Sequence, residues 1–196
     1  VASNSATSSL HLACLALELR KEDWLWTSPN SFVASANCGL YCNAKVDFVD
    51  IDPLTYNLST DKLEEKLIKA KKLNKLPKIV IPVHFAGQSC DMIKIKALSD
   101  EYGFAVIEDA SQVHGALANG KKCGGIGDVA TFSFYANKII TTGEGGMVTT
   151  SNQKIAERAR SYRNLCFKSE RRFYHTELGE NYRMTNMQAA LGVAQM

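Results

Sequence analysis

Hydrophobic positions along the chain gather in short dense runs, separated by stretches where they recur every three or four residues. Asp23-Trp-Leu-Trp-Thr27, Lys45-Val-Asp-Phe-Val-Asp50, Lys78-Ile-Val-Ile-Pro-Val83 and Phe104-Ala-Val-Ile107 read as strands. The third is almost continuously apolar, as a central parallel strand covered on both faces should be. Between the runs, Leu10, Ala13, Cys14 and Leu17 fall at helical spacing, as do Leu63, Leu67 and Ala70, and Met92, Ile95 and Leu98. A helix from about Phe32 to Cys42 is expected after Ser28-Pro-Asn-Ser31, which should turn the chain and cap it. Ser59 or Thr60 should start the next helix, and Asp91 the one that Gly103 ends. Val1 to Ser5 is read as a lead into the first helix. Strand–helix alternation requires right-handed crossovers and a parallel sheet with helices on both faces, an α/β fold.

Further on, Thr131 to Tyr135 and Gly146 to Thr150 read as two more strands. Ser151 or Asn152 should cap a helix to about Arg163, and Met187, Ala190, Leu191 and Ala194 mark a last one. The lysines at 69, 71, 72 and 75 sit near a helix C-terminus and read as a solvated face. Arg171 and Arg172 lie in a polar, aromatic segment that could meet a phosphate, though a solvated loop is the plainer reading.

Composition changes this picture little. The 196 residues are 45% hydrophobic and 22% charged, ordinary for a globular protein. A net charge of +3, scattered along the chain, gives no nucleic-acid footprint. No apolar run reaches membrane-spanning length. The six cysteines form no C-x-x-C pair and have no histidine at zinc-ligand spacing, so buried free thiols are expected, with no metal and a reducing, cytoplasmic setting. The chain begins at Val1 and stops at Met196 within a helical pattern, as expected of a piece of a longer chain. No G-x-G-x-x-G follows the first strand and no Walker-A lysine is present.

Candidate chemistry centres on Thr131-Phe-Ser-Phe-Tyr-Ala-Asn-Lys138-Ile-Ile-Thr-Thr-Gly-Glu-Gly-Gly-Met147. A lysine between apolar neighbours and a glycine-rich turn should lose hydration, which favours the neutral amine that carbonyl chemistry needs. Asp109, ending a central strand, is poorly solvated unless it meets a cation, such as a protonated ring nitrogen. Phe32 stands where ligands bind in open α/β sheets and could stack on a flat ring. Ala6-Thr-Ser-Ser9 opens a helix and offers N–H groups to an anion. At this level the plainer alternatives stay open: a surface lysine, an aspartate helix cap, a core aromatic ring and an ordinary N-cap.

Ala6-Thr7, Asp109-Ala-Ser-Gln112, Ser133-x4-Lys138 and Asn181-Tyr-Arg-Met-Thr-Asn186, in that order, resemble the DegT/DnrJ/EryC1/StrS aminotransferases. Lys138-Ile-Ile-Thr-Thr-Gly-Glu-Gly-Gly-Met147 is the most specific part, and the likeness covers essentially the whole chain. It implies the large domain of a fold-type-I pyridoxal 5'-phosphate (PLP) enzyme over residues 1–196, a three-layer αβα sandwich with a mainly parallel central sheet. The family's N-terminal arm and smaller C-terminal domain would lie outside it. It further implies that Lys138 holds the PLP aldehyde and shuttles a proton, that Asp109 pairs with the ring nitrogen, and that Gln112 lies near the ring and its 3-oxygen. Phe32 would stack on the ring. Ala6, Thr7 and Ser133 would hold the phosphate, and Asn181 would reach the phosphate of a neighbouring subunit in a homodimer. Where the family often has glycine, Ala6 demands a backbone angle that alanine can adopt. The implied reaction moves an amino group from glutamate to the C4 keto group of a 4-keto-6-deoxy sugar on a nucleotide, for surface glycans. Two rivals share the fold: a sugar dehydratase, whose relatives carry histidine at the place of Lys138, and a non-catalytic regulator.

Overall fold

The computed structural model describes residues 1–168 and 170–196. In chain order the elements are β1 (Ala2–Ser3), α1 (Ala6–Ala16), β2 (Trp24–Thr27), α2 (Ala34–Tyr41), β3 (Lys45–Phe48), α3 (Thr60–Lys72) and β4 (Ile79–Ile81). There follow α4 (Met92–Tyr102), β5 (Ala105–Asp109), β6 (Leu117–Ala118), β7 (Lys121–Lys122), β8 (Val129–Ser133), β9 (Gly146–Thr149), α5 (Gln153–Arg163) and α6 (Asn186–Val193). Seven strands form one sheet in the order β1-β9-β8-β5-β4-β2-β3. The run from β3 to β8 is parallel, while β9 pairs antiparallel with β8 and β1 antiparallel with β9. β6 and β7 make a separate hairpin.

Side-chain alternation along the strands builds two cores. Leu25, Ile79, Ile81 and Ile107 point to the face covered by α1 and α2, where they meet Leu10, Leu12, Cys14 and Cys38. Trp26, Val80 and Val106 point to the opposite face, against Leu63 and Leu67 of α3 and Ile95 and Leu98 of α4. Each fully buried leucine there contributes about 2 kcal/mol of transfer free energy. The same parity governs the end of β5. Asp109 shares the face of Ile107, on the α2 side, and Glu108 shares the face of Val106.

Several local expectations are corrected. Val1 to Ser5 is more than a lead: Ala2 and Ser3 form the edge strand beside β9, opposite Met147 and Gly146. α1 is capped by Ser5, whose Oγ accepts the Ser8 N–H at 3.1 Å. α2 begins at Ala34 rather than Phe32 and has no side-chain cap at all, so Ser28 to Ser31 do not serve it as one. Ser59, Asp91 and Asn152 do cap α3, α4 and α5 with their side chains. α6 buries none of its residues in this chain, and Met187 and Leu191 are exposed. All six cysteines are free and buried. No helix among the described residues is long and apolar enough to cross a membrane.

Candidate active site

Strands β4, β5 and β8 end at one cleft, closed from the side by the N-terminus of α1. It encloses a cavity of about 520 Å³. Asp109 and Lys138 both line it, as do Ala6, Thr7, Phe32, Gln112 and Ser133. Seven of the eight residues expected at a cofactor site are therefore brought together from positions up to 132 apart in sequence (138 − 6). Asn181 is the exception. It is exposed, pairs by its backbone with Asn164, and does not line the cavity.

The anion end is built by a close approach of backbones. A Cβ on Gly146 would overlap the Ser5 carbonyl and the Ala6 nitrogen, so only glycine lets β9 pass this near to the start of α1. Ser5 and Ser8 satisfy the cap, and the N–H groups of Ala6 and Thr7 have no acceptor among the described residues. They point from the positive end of an 11-residue helix at the cavity rim. Ala6 needs no positive φ, so its replacement of glycine strains nothing. Ser133 ends β8, and its Oγ accepts the Tyr135 N–H at 3.3 Å.

Lys138 departs from the expected dry, apolar setting. It lies five residues beyond β8, in the irregular segment 134–145, and is only half-buried. Tyr135, Ala136, Asn137 and Ile139 around it are exposed. Phe32 is also open, at 71% exposure, so its ring belongs to the cleft mouth and to no core. Gln112 is tied down: its Oε1 accepts the Ala86 N–H at 2.8 Å, where Ala86 and Gly87 both take positive φ. A second cavity of about 350 Å³ lies on the far side of Lys138, against Ala86, Gly87 and Ile139, and shares Ser111, Gln112, Asn137 and Lys138 with the first. A larger cavity, about 730 Å³, lies at the starts of α3 and α4 and shares no residue with either, so size does not select the site.

Asp109 is nearly buried and held at both oxygens. Ser35 Oγ donates to Oδ2 at 2.8 Å and the Ser111 N–H donates to Oδ1 at 3.2 Å. Behind it, on the other face of β5, Glu108 is fully buried. Its Oε2 meets His84 Nε2 at 3.1 Å and the Gly124 N–H at 2.8 Å, and its Oε1 accepts from Ile126 at 2.7 Å and Gly127 at 2.5 Å. Burial pushes the Glu108 carboxyl up, but His84 and the three N–H groups outweigh it and hold the group below the usual carboxylate range. The glycine-rich 123–127 segment is thus a carboxylate nest that anchors the end of β5. Ser35 and Glu108 were not legible as site-building residues. A hydroxyl on the buried face of a helix and an acid inside an apolar strand were the signals.

This donor set suits PLP. One cavity offers an amine for the aldehyde, a clamped carboxylate for the ring nitrogen, and unpaired helix N–H groups with a serine for the phosphate.

A mainly parallel sheet covered on both faces, with an amine, a carboxylate and a helix N-terminus brought to one cavity where its strands end, defines an α/β protein. The chain belongs to the DegT/DnrJ/EryC1/StrS aminotransferase family, whose match spans residues 1–196. It is 43% identical over 196 residues to a GDP-perosamine synthase of Caulobacter vibrioides, covering 100% of this chain and 51% of that protein. It is 38% identical over 195 residues to the UDP-4-amino-4,6-dideoxy-N-acetyl-beta-L-altrosamine transaminase of Campylobacter jejuni, covering 98% of this chain and 50% of that protein. Bacillus subtilis NtdA, solved with bound cofactor PMP, matches with a TM-score of 0.87 and 30% identity, over 100% of this chain and 43% of its own. The chain spans about half the length of the curated relatives it matches.

Proposed function

We propose that the full-length protein is a PLP-dependent aminotransferase that takes an amino group from glutamate and delivers it to the C4 keto group of a nucleotide-linked 4-keto-6-deoxy sugar, in the synthesis of a surface glycan. The observation that carries the reading is that Lys138 and Asp109 line one cavity with the N-terminus of α1 at its rim. The relatives named for GDP-perosamine and for a UDP-linked 4-amino-4,6-dideoxy sugar support the substrate class.

When bound, PLP supplies an electrophilic aldehyde and an electron-accepting ring. In this reading Lys138 Nζ holds that aldehyde and, once released, is the base that takes and returns a proton. Asp109 would keep the ring nitrogen protonated, since an opposite charge beside a titratable group favours its charged form. The N–H groups of Ala6 and Thr7, with Ser133, would hold the phosphate, Gln112 would serve the 3-oxygen, and the Phe32 ring would cover the flat face. Asn181 serves the phosphate of the neighbouring subunit in a homodimer, a role that suits its exposed position away from its own cavity. Lysine at 138 disfavours the dehydratase alternative, and the intact Lys138 and Asp109 pair disfavours a regulator without turnover.

The test is to incubate the full-length protein with PLP, glutamate and a panel of nucleotide-linked 4-keto sugars, reading products by mass. The expected product has exchanged its keto oxygen for an amine. Loss of water without gain of nitrogen would assign a dehydratase, and no product with any sugar, despite bound PLP, would assign a regulator.

A further inference from the structure

We infer that Ser35 is a positioning residue for Asp109, and that Ser31 ties the Phe32 loop to that carboxylate through it. The inference rests on the assignment of Asp109 to the ring nitrogen of bound PLP. Ser35 lies in the first turn of α2 and is fully buried. Its hydroxyl does not serve the helix, which has no side-chain cap. It donates across to β5, at 2.8 Å from Asp109 Oδ2.

A hydroxyl has one hydrogen to give. With that hydrogen on Asp109, Ser35 Oγ can only accept in its 2.9 Å contact with Ser31 Oγ, whose single hydrogen is shared between Ser35 and the Phe32 carbonyl at 3.1 Å on the same loop. The result is a directed chain, Ser31 to Ser35 to Asp109. Ser31 lines the cavity beside Phe32, the exposed ring at its mouth. The opposite oxygen of Asp109 takes the Ser111 N–H at 3.2 Å. Donors from two separate elements therefore fix the plane of the carboxylate. A shift of the loop carrying Phe32 reaches Asp109 through two hydrogen bonds, so seating of a ring against Phe32 and orientation of the acid are one event.

The measurement uses full-length protein loaded with PLP carrying nitrogen-15 in its ring. The ring resonance reports how the proton is shared with Asp109, which packing alone does not move. Ser35→Ala should displace that resonance from its wild-type position, shift the acidic limb of the kcat profile against pH, and lower kcat about tenfold, the effect of one hydrogen bond to a charged group. Ser35→Thr, which restores the hydroxyl, should return all three towards wild type. Ser31→Ala should displace the resonance in the same direction by less, and it serves as the deciding variant if the Ser35 variants do not fold. A Ser35→Ala protein of lower stability but unchanged resonance and pH profile overturns the inference, as does an unchanged resonance in Ser31→Ala when the Ser35 variants do not fold. Wild-type protein that binds no PLP overturns the underlying functional reading, and this inference with it. That outcome is visible before any variant is made.

Discussion

His84 and Glu108 meet at 3.1 Å with both side chains fully buried, directly behind the carboxylate assigned to the cofactor ring. His84 Nδ1 accepts the Cys90 N–H at 3.0 Å, so the ring hydrogen sits on Nε2 and is given to Glu108. Four donors converge on one acid, and the acid is the immediate neighbour of Asp109. Glu108→Gln puts an NH2 where an acceptor is needed and leaves backbone N–H groups buried without a partner. A loss of about 3 kcal/mol in urea unfolding is expected. A loss under about 1 kcal/mol would mean the nest does not anchor β5.

The Glu108 carboxyl also sets an acid limit. Its folded value lies below the unfolded one near 4.5. Its contribution is therefore complete above about pH 4.5 and is lost as pH falls through the lower folded value. Unfolding measured from pH 6 down to pH 3 should steepen below 4.5 in the wild type. Glu108→Gln should lack that component.

His114 acts at milder pH. Both of its ring nitrogens are buried with no well-formed hydrogen bond among the described residues, between the rings of Phe132 and Phe134 at 5.4 and 5.8 Å. Burial lowers it below its ordinary value near 6.5; the Ser133 backbone pulls the other way, and the nearby Lys138 charge adds to the lowering. The folded state thus binds this proton less readily than the unfolded chain does. Stability should be complete above about pH 6.5 and decline below it, until the folded value is passed. A nuclear magnetic resonance titration should give a midpoint under 6.5, and His114→Phe should flatten the slope of stability against pH in that window. A midpoint above 6.5 would contradict the packing described.

Asp109→Asn keeps the size of the group but removes the charge. PLP should still bind, while kcat should fall at least about a hundredfold, since a neutral amide cannot hold the ring proton. Equal turnover would remove Asp109 from the mechanism. Lys138→Ala should abolish both the visible absorbance of the loaded protein and borohydride fixation of the cofactor. A variant that stays yellow and still fixes it would assign that role to another group.

Gly146→Ala tests the anion end. Its Cβ would meet backbone atoms of Ser5 and Ala6, which cannot turn aside as a side chain could. A stability loss of about 2 kcal/mol and a weaker Kd for PLP are expected. A loss of stability without a change in Kd would separate the edge strand from phosphate binding.

The sequence alone determined the layered α/β arrangement, because strand and helix periods are local and the short apolar run at Ile79 to Ile81 is what a doubly covered strand requires. It marked Lys138, Asp109 and the start of α1, because an amine among apolar residues, an acid ending a strand and a hydroxylated helix start are each odd within a few positions. Only the tertiary structure decided which of these share a cavity, since that depends on crossovers that lay α1 across β8 and β9 and bring the start of α2 to the end of β5. It opened the surroundings of Lys138, left Asn181 outside the cleft, and found Ser35 and the nest around Glu108. Those partners lie 74 and up to 24 residues away, and no local pattern records a hydrogen bond that closes only when the sheet does.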